Sequence, residues 1–257
     1  MTLQIVEVGW DSLVLELGGE WIVRVPRRAN VRATLATEVR LLPELAPTLP
    51  VPVPRFELVS EGAVAYRKLS GEPIDPTRAS LGEPVGLFLA ALHAFPVERA
   101  RELGVPSHDL DWRNRYRRFT REVLDAAGPA LGPEAEGMVA EYLEDDANFA
   151  FAPRLIHADL GPAHLLAAGD ELTGVIDWGD VRIGDPALDF AWLLQQPFAE
   201  AVLAAYGDHD PGLPERALFY HRLGPWYELH YGLFFDRPEF VESGLAGVRS
   251  RLPGRLP

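Results

Sequence analysis

Apolar and polar residues alternate in short runs over the first quarter of the chain, then switch to helical spacing. Leu3-Gln-Ile-Val-Glu-Val, Leu13-Val-Leu-Glu-Leu and Trp21-Ile-Val-Arg-Val read as three short strands. Gly9-Trp10-Asp11-Ser12 is a turn between the first two, and Gly18-Gly19 closes a hairpin between the second and third. Pro26 stops the third strand. Thr34 to Leu42 carries apolar residues at helical spacing. The Pro-rich Leu49-Pro-Val-Pro-Val-Pro-Arg excludes a helix and reads as an extended edge segment. Phe56-Glu-Leu-Val-Ser and Ala63-Val-Ala-Tyr66 complete a small sheet.

From residue 72 strand signals become rare. Gly82 to His93 is one helix, closed by Pro96. Trp112, Tyr116, Phe119 and Val123 share one face of another, whose opposite face carries Arg113, Arg115, Arg117, Arg118 and Arg121. Such an arginine run reads as a solvated face. Two strand-like runs, Arg154-Leu-Ile-His and Leu172-Thr-Gly-Val-Ile, lie among the helices, and residues 198–250 are helical. No repeats or low-complexity linkers occur. The pattern predicts an α+β fold with a small β-rich lobe over residues 1–66, a crossing over 67–73 and a larger helical lobe over 74–257.

Composition narrows the functions open to this outline. The 257 residues carry a formal charge of −14, which disfavours nucleic-acid and anionic-membrane partners and suits a cationic ligand. Zero cysteines exclude a disulfide scaffold, a thiol nucleophile and a Cys-based zinc site. The start lacks a basic, apolar leader, and the apolar stretch from Val85 to Phe95 is too short to span a bilayer. A cytoplasmic protein is expected.

Walker-type, HExxH, GxSxG and GxGxxG motifs are absent. What stands out is His157-Ala-Asp159-Leu-Gly-Pro-Ala-His164, followed by Asp177-Trp178-Gly179-Asp180. Each group follows a strand-like run, which puts its carboxylates at strand ends. A metal bound by His164 and Asp177, beside a free Asp159, could bridge nucleotide phosphates while Asp159 orients a hydroxyl. Phosphoryl transfer needs little more than positioning and charge neutralisation.

The pattern HxDx₄[N/H], a strand, [IL]DWGD and then Gly184-Asp185-Pro186-Ala-Leu-Asp189 resembles the aminoglycoside phosphotransferase family, small-molecule relatives of protein kinases. The likeness is tight over residues 154–194 and weaker from about residue 5 to the end. It implies a protein-kinase-like two-lobe fold and transfer of the γ-phosphate of ATP or GTP, with Mg²⁺, to a hydroxyl of an aminoglycoside-type acceptor. Asp159 then matches the catalytic base, His157 the buttress of its loop, and Asp177 the Mg²⁺ ligand. His164 stands where many relatives have Asn, as in the aminoglycoside 2″- and macrolide phosphotransferase branches. The turn ending at Ser12 resembles the phosphate-covering turn. Arg24 replaces the usual phosphate-binding Lys, and Glu38 matches its ion-pair partner. Tyr66-Arg67-Lys68-Leu69 resembles the hinge that meets the nucleobase, and a bulky Tyr66 there accompanies GTP preference in the 2″ branch.

Asp180, Trp226 and Glu228 are candidates for the acceptor wall, where carboxylates would pair with ammonium groups. The aromatic stretch from Leu223 to Gly232 suits a macrolide or another partly apolar ligand. Asp185 and Asp189 read as structural. A macrolide or metabolite kinase, and a non-catalytic nucleotide-binding pseudokinase, remain open alternatives. The sequence leaves oligomeric state open.

Overall fold

The structure is a computed structural model that describes residues 3–8, 12–60, 62–107 and 111–252. Strands β1 (Leu3–Val8), β2 (Ser12–Leu17) and β3 (Trp21–Pro26) form antiparallel hairpins. Gly18 and Gly19, at φ 64° and 76°, make the β2–β3 turn, a conformation that costs glycine nothing. The chain then forms α1 (Ala29–Leu45) and adds β4 (Phe56–Val59) and β5 (Val64–Arg67). The five strands make one antiparallel sheet in the order β1-β2-β3-β5-β4.

Helix α1 starts five residues before the expected Thr34 and ends three after Leu42. Its buried stripe, Val31, Leu35, Glu38, Leu42 and Leu45, has helical spacing throughout, and Pro43 is tolerated in the last turns. Glu38 is the one charged member of that stripe, so it needs a partner. The Pro-rich segment after α1 is no sheet edge. It buries Val51 and Val53 and accepts a 3.0 Å bond from the Val175 N–H on the Pro52 carbonyl, strapping the sheet region to the strand that precedes Asp177.

The rest is mostly helical. The two-residue β6 (Glu72–Pro73) leads to α2 (Gly82–His93), α3 (Val97–Glu102), α4 (Trp112–Leu131) and α5 (Pro133–Glu144). Next come the short strands β7 (Arg154–Ile156), β8 (Leu165–Ala168), β9 (Glu171–Val175) and β10 (Arg182–Gly184). Strand β10 pairs with β7, and β8 lies between β6 and β9. Helices α6 (Ala199–Tyr206), α7 (Leu213–Phe234) and α8 (Pro238–Ser250) close the chain.

Helix α2 has the predicted bounds. Strands β6, β8 and β10 carry no sequence signal of their own, because strands of two to four residues exist only through their pairing. The core joins Val85, Phe88 and Leu92 of α2, Tyr116 and Val123 of α4, Leu155 of β7, Trp178, and Leu223 and Trp226 of α7. No helix among the described residues is long and apolar enough to cross a membrane.

Candidate active site

The buried Leu155 and Ile156 of β7 lead into His157, whose side chain is also buried. The His157 Nε2–H donates to the Ile176 carbonyl at 3.0 Å, tying its loop to the residue before Asp177. Trp178 packs against the imidazole, with ring centroids 4.8 Å apart. Burial pushes the His157 pKa below its ordinary value, so the ring is neutral, and its Nδ1 has no partner.

The next residue, Ala158, sits at φ 69°, which for a residue with a Cβ costs about 1–2 kcal/mol. Asp189 holds it there. Its two carboxylate oxygens accept the backbone N–H groups of His157 (2.9 Å) and Ala158 (2.7 Å). The same carboxylate accepts from His93 Nε2 at 3.1 Å, and His93 Nδ1 meets the Tyr206 hydroxyl at 2.9 Å. A carboxylate only accepts, so His93 donates from Nε2, and the Tyr206 hydroxyl with its proton makes the second bond at Nδ1. Burial pushes the Tyr206 hydroxyl up to about 12, which keeps that proton in place. Neighbouring Asp185 is fully buried and binds Arg216 through Nε (2.7 Å) and Nη2 (3.0 Å), together with the Tyr220 hydroxyl (2.9 Å).

The strained loop presents Asp159, whose side chain is 58% exposed. His164 Nδ1 lies 2.6 Å from the Asp159 backbone carbonyl and 3.6 Å from its carboxylate. A carbonyl cannot donate, so Nδ1 donates to it, and the neutral tautomer that this bond selects carries its lone pair on Nε2. That Nε2 faces Asp177 Oδ2 at 3.7 Å. Asp177 also has positive φ, 63°. A lone pair and a carboxylate oxygen at this separation can both reach one ion at Mg²⁺ distances of about 2.0–2.1 Å. The described residues hold no cluster of three or more metal-binding side chains. Mg²⁺ is usually held by one or two carboxylates with phosphate oxygens and water; Asp177 fits that provision, and the His164 imidazole is an uncommon nitrogen donor beside it.

On its other oxygen Asp177 lies 3.8 Å from Arg24 Nη2, while Arg24 Nη1 bonds Glu38 at 2.6 Å. Arg24 is side by side with Val14 of β2 and Val64 of β5 in the sheet. Burial opposes the Arg24 charge, but Glu38 and Asp177 outweigh it and raise its pKa. Burial raises the Glu38 carboxyl too, and Arg24 offsets only part of that. Glu38 Oε1 and the buried Ser12 hydroxyl have no hydrogen-bond partner among the described residues. The Gly179 backbone lies beside this pair, where a Cβ would make ordinary van der Waals contact with Asp177, Arg24 and Glu38 at 3.6 to 3.9 Å. The two sequence groups, 24/38 and 157–177, therefore meet at Asp177.

The expected phosphate-covering turn at Gly9-Trp10-Asp11 lies outside the described residues. Tyr66 is buried edge-on to Phe56 (5.7 Å), and burial pushes its hydroxyl up to about 12. The Arg67 side chain stacks 4.1 Å over Trp21 and pairs with Glu20, and Lys68 pairs with Glu16. The Lys68 N–H is committed to the Glu20 carbonyl at 2.8 Å, so of the expected hinge residues it is Leu69 that keeps free backbone groups among the described residues. Beyond it, Gly71 takes φ 105° where a Cβ would collide with Thr173.

The acceptor wall differs from the expectation. Trp226 is fully buried in the helical core and shows no surface to a ligand, because its helix position falls on the face that α7 packs inward. Glu228 is held by the Ser243 hydroxyl at 2.6 Å, between α7 and α8. Asp180 is half-exposed, but Arg182 occupies its carboxylate at 2.6 Å. An exposed aromatic ring on α7 is Tyr227, one position after Trp226. Tyr227 is 44% exposed and stacks on Phe119 of α4, centroids 4.3 Å apart, and Phe119 in turn meets His230. His93, Tyr206 and Phe119 contact their partners across 96 to 113 positions, so no local pattern announces them.

This geometry is that of a kinase-like phosphotransferase acting on small molecules. The family profile described as "Phosphotransferase enzyme family" (APH) matches residues 2–219, and the chain belongs to that family. The GDP and kanamycin complex of the aminoglycoside phosphotransferase APH(2″)-IIIa superposes with TM-score 0.88 at 26% identity, covering 98% of this chain and 93% of that one. Macrolide 2′-phosphotransferase MphH from Brachybacterium faecium gives 0.82 at 28% identity, over 96% and 92%. A homoserine kinase of Mesorhizobium japonicum is 27% identical over 73% of this chain and 64% of its own length. The family resemblance and the kinase-like α+β fold expected from the sequence both hold.

Proposed function

We propose that this protein moves the γ-phosphoryl group of ATP or GTP to a hydroxyl of an aminoglycoside-type antibiotic. Residues 1–66 form the nucleotide-binding lobe, 67–73 the hinge, and 74–257 the lobe with the catalytic loop and acceptor pocket. The observation that carries this reading is the chain of contacts Asp159–His164–Asp177–Arg24, at 3.6, 3.7 and 3.8 Å. Asp159 orients the acceptor hydroxyl and takes its proton as the oxygen–phosphorus bond forms and the bond to the leaving diphosphate breaks. His164 and Asp177 hold Mg²⁺, which neutralises phosphate charge when bound. Arg24 grips the phosphates with the guanidinium edge that Glu38 leaves free. Leu69 offers its backbone to the base beside Tyr66. The reaction belongs in the cytoplasm, where nucleoside triphosphates are.

The −14 charge favours capture of a polycation. The exposed Phe119–Tyr227 stack favours a second reading, an acceptor with an apolar face such as a macrolide. A coupled assay with ATP and GTP against both antibiotic classes and homoserine separates these. Asp159→Asn should cut turnover by about 10²–10⁴-fold while nucleotide still binds. Nucleotide binding with no transfer to any acceptor would instead identify a pseudokinase.

A further inference from the structure

A second cavity, of about 280 Å³, lies away from the Asp159 site, between α1 and the β4–β5 edge of the sheet. Its floor is apolar: Pro26, Leu35, Val39 and Val64. Two arginines, Arg32 and Arg40, stand at its ends, eight residues apart on one face of α1, or about 12 Å along the axis. The Arg32 side chain has no hydrogen bond or ion pair among the described residues. Arg40 spends Nε on the Leu103 carbonyl and Nη2 on Thr37, which leaves Nη1 uncommitted. The Ser60 hydroxyl is consumed within its own turn by Gly62, Ala63 and the Ala63 carbonyl. The free polar groups of this cavity are therefore cationic, in a chain whose net charge is −14.

Each wall of the cavity touches one half of the Arg24–Glu38 pair. Val39 follows Glu38 on α1, and Val64 is the cross-strand neighbour of Arg24. A ligand wedged between these walls shifts the spacing of α1 from the sheet, and with it the 2.6 Å contact that aims Arg24.

We propose that this cavity is a second binding site, for a small carboxylate with an aryl or branched alkyl body, and that its occupancy is coupled to nucleotide affinity through α1. The apolar body fills the floor and the carboxylate takes a guanidinium, a charge-assisted and often bidentate pairing. The volume is near the lower limit of small-molecule pockets, about 300 Å³, which excludes large lipids. The coupling half of the proposal rests on Arg24 gripping nucleotide; the binding half does not.

The probe is 3-phenylpropanoate, titrated calorimetrically into the nucleotide-free protein, with the uncharged 3-phenylpropanamide as its control. We expect dissociation constants of about 1 mM for the acid and several-fold weaker binding of the amide. Arg32→Ala should weaken the acid, not the amide. Ala36→Phe, at an exposed position on the cavity lip, should abolish both. The probe should change ATP affinity about 5-fold or more, and ATP should change probe affinity by the same factor. Binding that survives Ala36→Phe, equal binding of acid and amide, or no heat at all overturns the site. Probe binding with unchanged ATP affinity overturns the coupling alone. Failure of phosphate transfer to every acceptor leaves the binding arm readable, because that arm uses neither nucleotide nor acceptor.

Discussion

The proposed catalytic segment, residues 154–189, and the α4–α7 face beside it hold their side chains in opposite ways. In the first, polar groups are fixed by buried partners: Asp189 takes two backbone N–H groups and His93, and Asp185 takes Arg216 and Tyr220. In the second, Phe119, Tyr227 and His230 lean on one another at a partly exposed surface. Moving a buried charge leaves an uncompensated ion, whereas trimming an exposed ring loses a contact and lets water in. The proposed catalytic segment should therefore be sensitive to substitution, and the α4–α7 face, the proposed acceptor surface, should tolerate it.

The sharpest way to break that contrast is at Arg216. Arg216→Met removes the partner of the fully buried Asp185, and truncating one member of such a pair costs about 3–5 kcal/mol. Urea unfolding measures it. A loss under about 1 kcal/mol would mean that Asp185 is satisfied by Tyr220 and its own turn, and that the segment is not charge-anchored.

Next in size is the relay behind Asp189. His93→Ala leaves Asp189 Oδ2 with the His157 N–H alone and loosens the carboxylate that anchors the Ala158 kink. A misplacement of about 1 Å can cost roughly 10²-fold in rate, so kcat should fall by about that factor while the KM for nucleotide stays put. His93→Gln, which keeps a donor, should recover part of it. Equal falls in kcat and in folded fraction would show that His93 merely packs.

How much of this was readable in advance follows the same divide. The Asp159, His164 and Asp177 group was legible because its members are 5 and 13 positions apart and flank short strands. Glu38 was legible through the family resemblance, as the ion-pair partner of Arg24, and the structure places it inside the buried stripe of α1. Trp226 misled because a tryptophan among aromatics carries no sign of which helix face points inward; α7, with Pro225 within it, is apolar on most sides. Tyr227 was missed for that reason. His93 and Tyr206 were invisible because only the folded chain brings them to Asp189.

On the acceptor face the effects should be small and selective. Tyr227→Ala gives up a stack of about 0.5–1.5 kcal/mol, or roughly 2–10-fold in kcat/KM, and only for acceptors that touch the ring. Nucleotide KM should not move. A loss shared by every acceptor would place Tyr227 with the catalytic segment and erase the distinction between the two regions.

The smallest predicted effect is electrostatic. His221 on α7 has its pKa lowered to about 4, first by burial and then by Arg251 and Arg222. Unfolded, it titrates near its ordinary value of about 6.5. Between those values the unfolded chain binds more protons than the folded one, so stability rises with pH there and is lost as pH falls from about 6.5 toward 4. His157, lowered by deeper burial, adds to the loss in the same direction. Asp210 acts at lower pH, because hydrogen bonding to Arg216 holds its carboxyl below the ordinary carboxylate value. Thermal melts across that window should show the wild-type Tm falling on acidification and His221→Gln falling less steeply. The part of the slope that survives in His221→Gln then belongs to His157 and the buried carboxyls, among which Glu38, raised by burial, acts in the opposite direction, and an unchanged slope would assign none of it to His221.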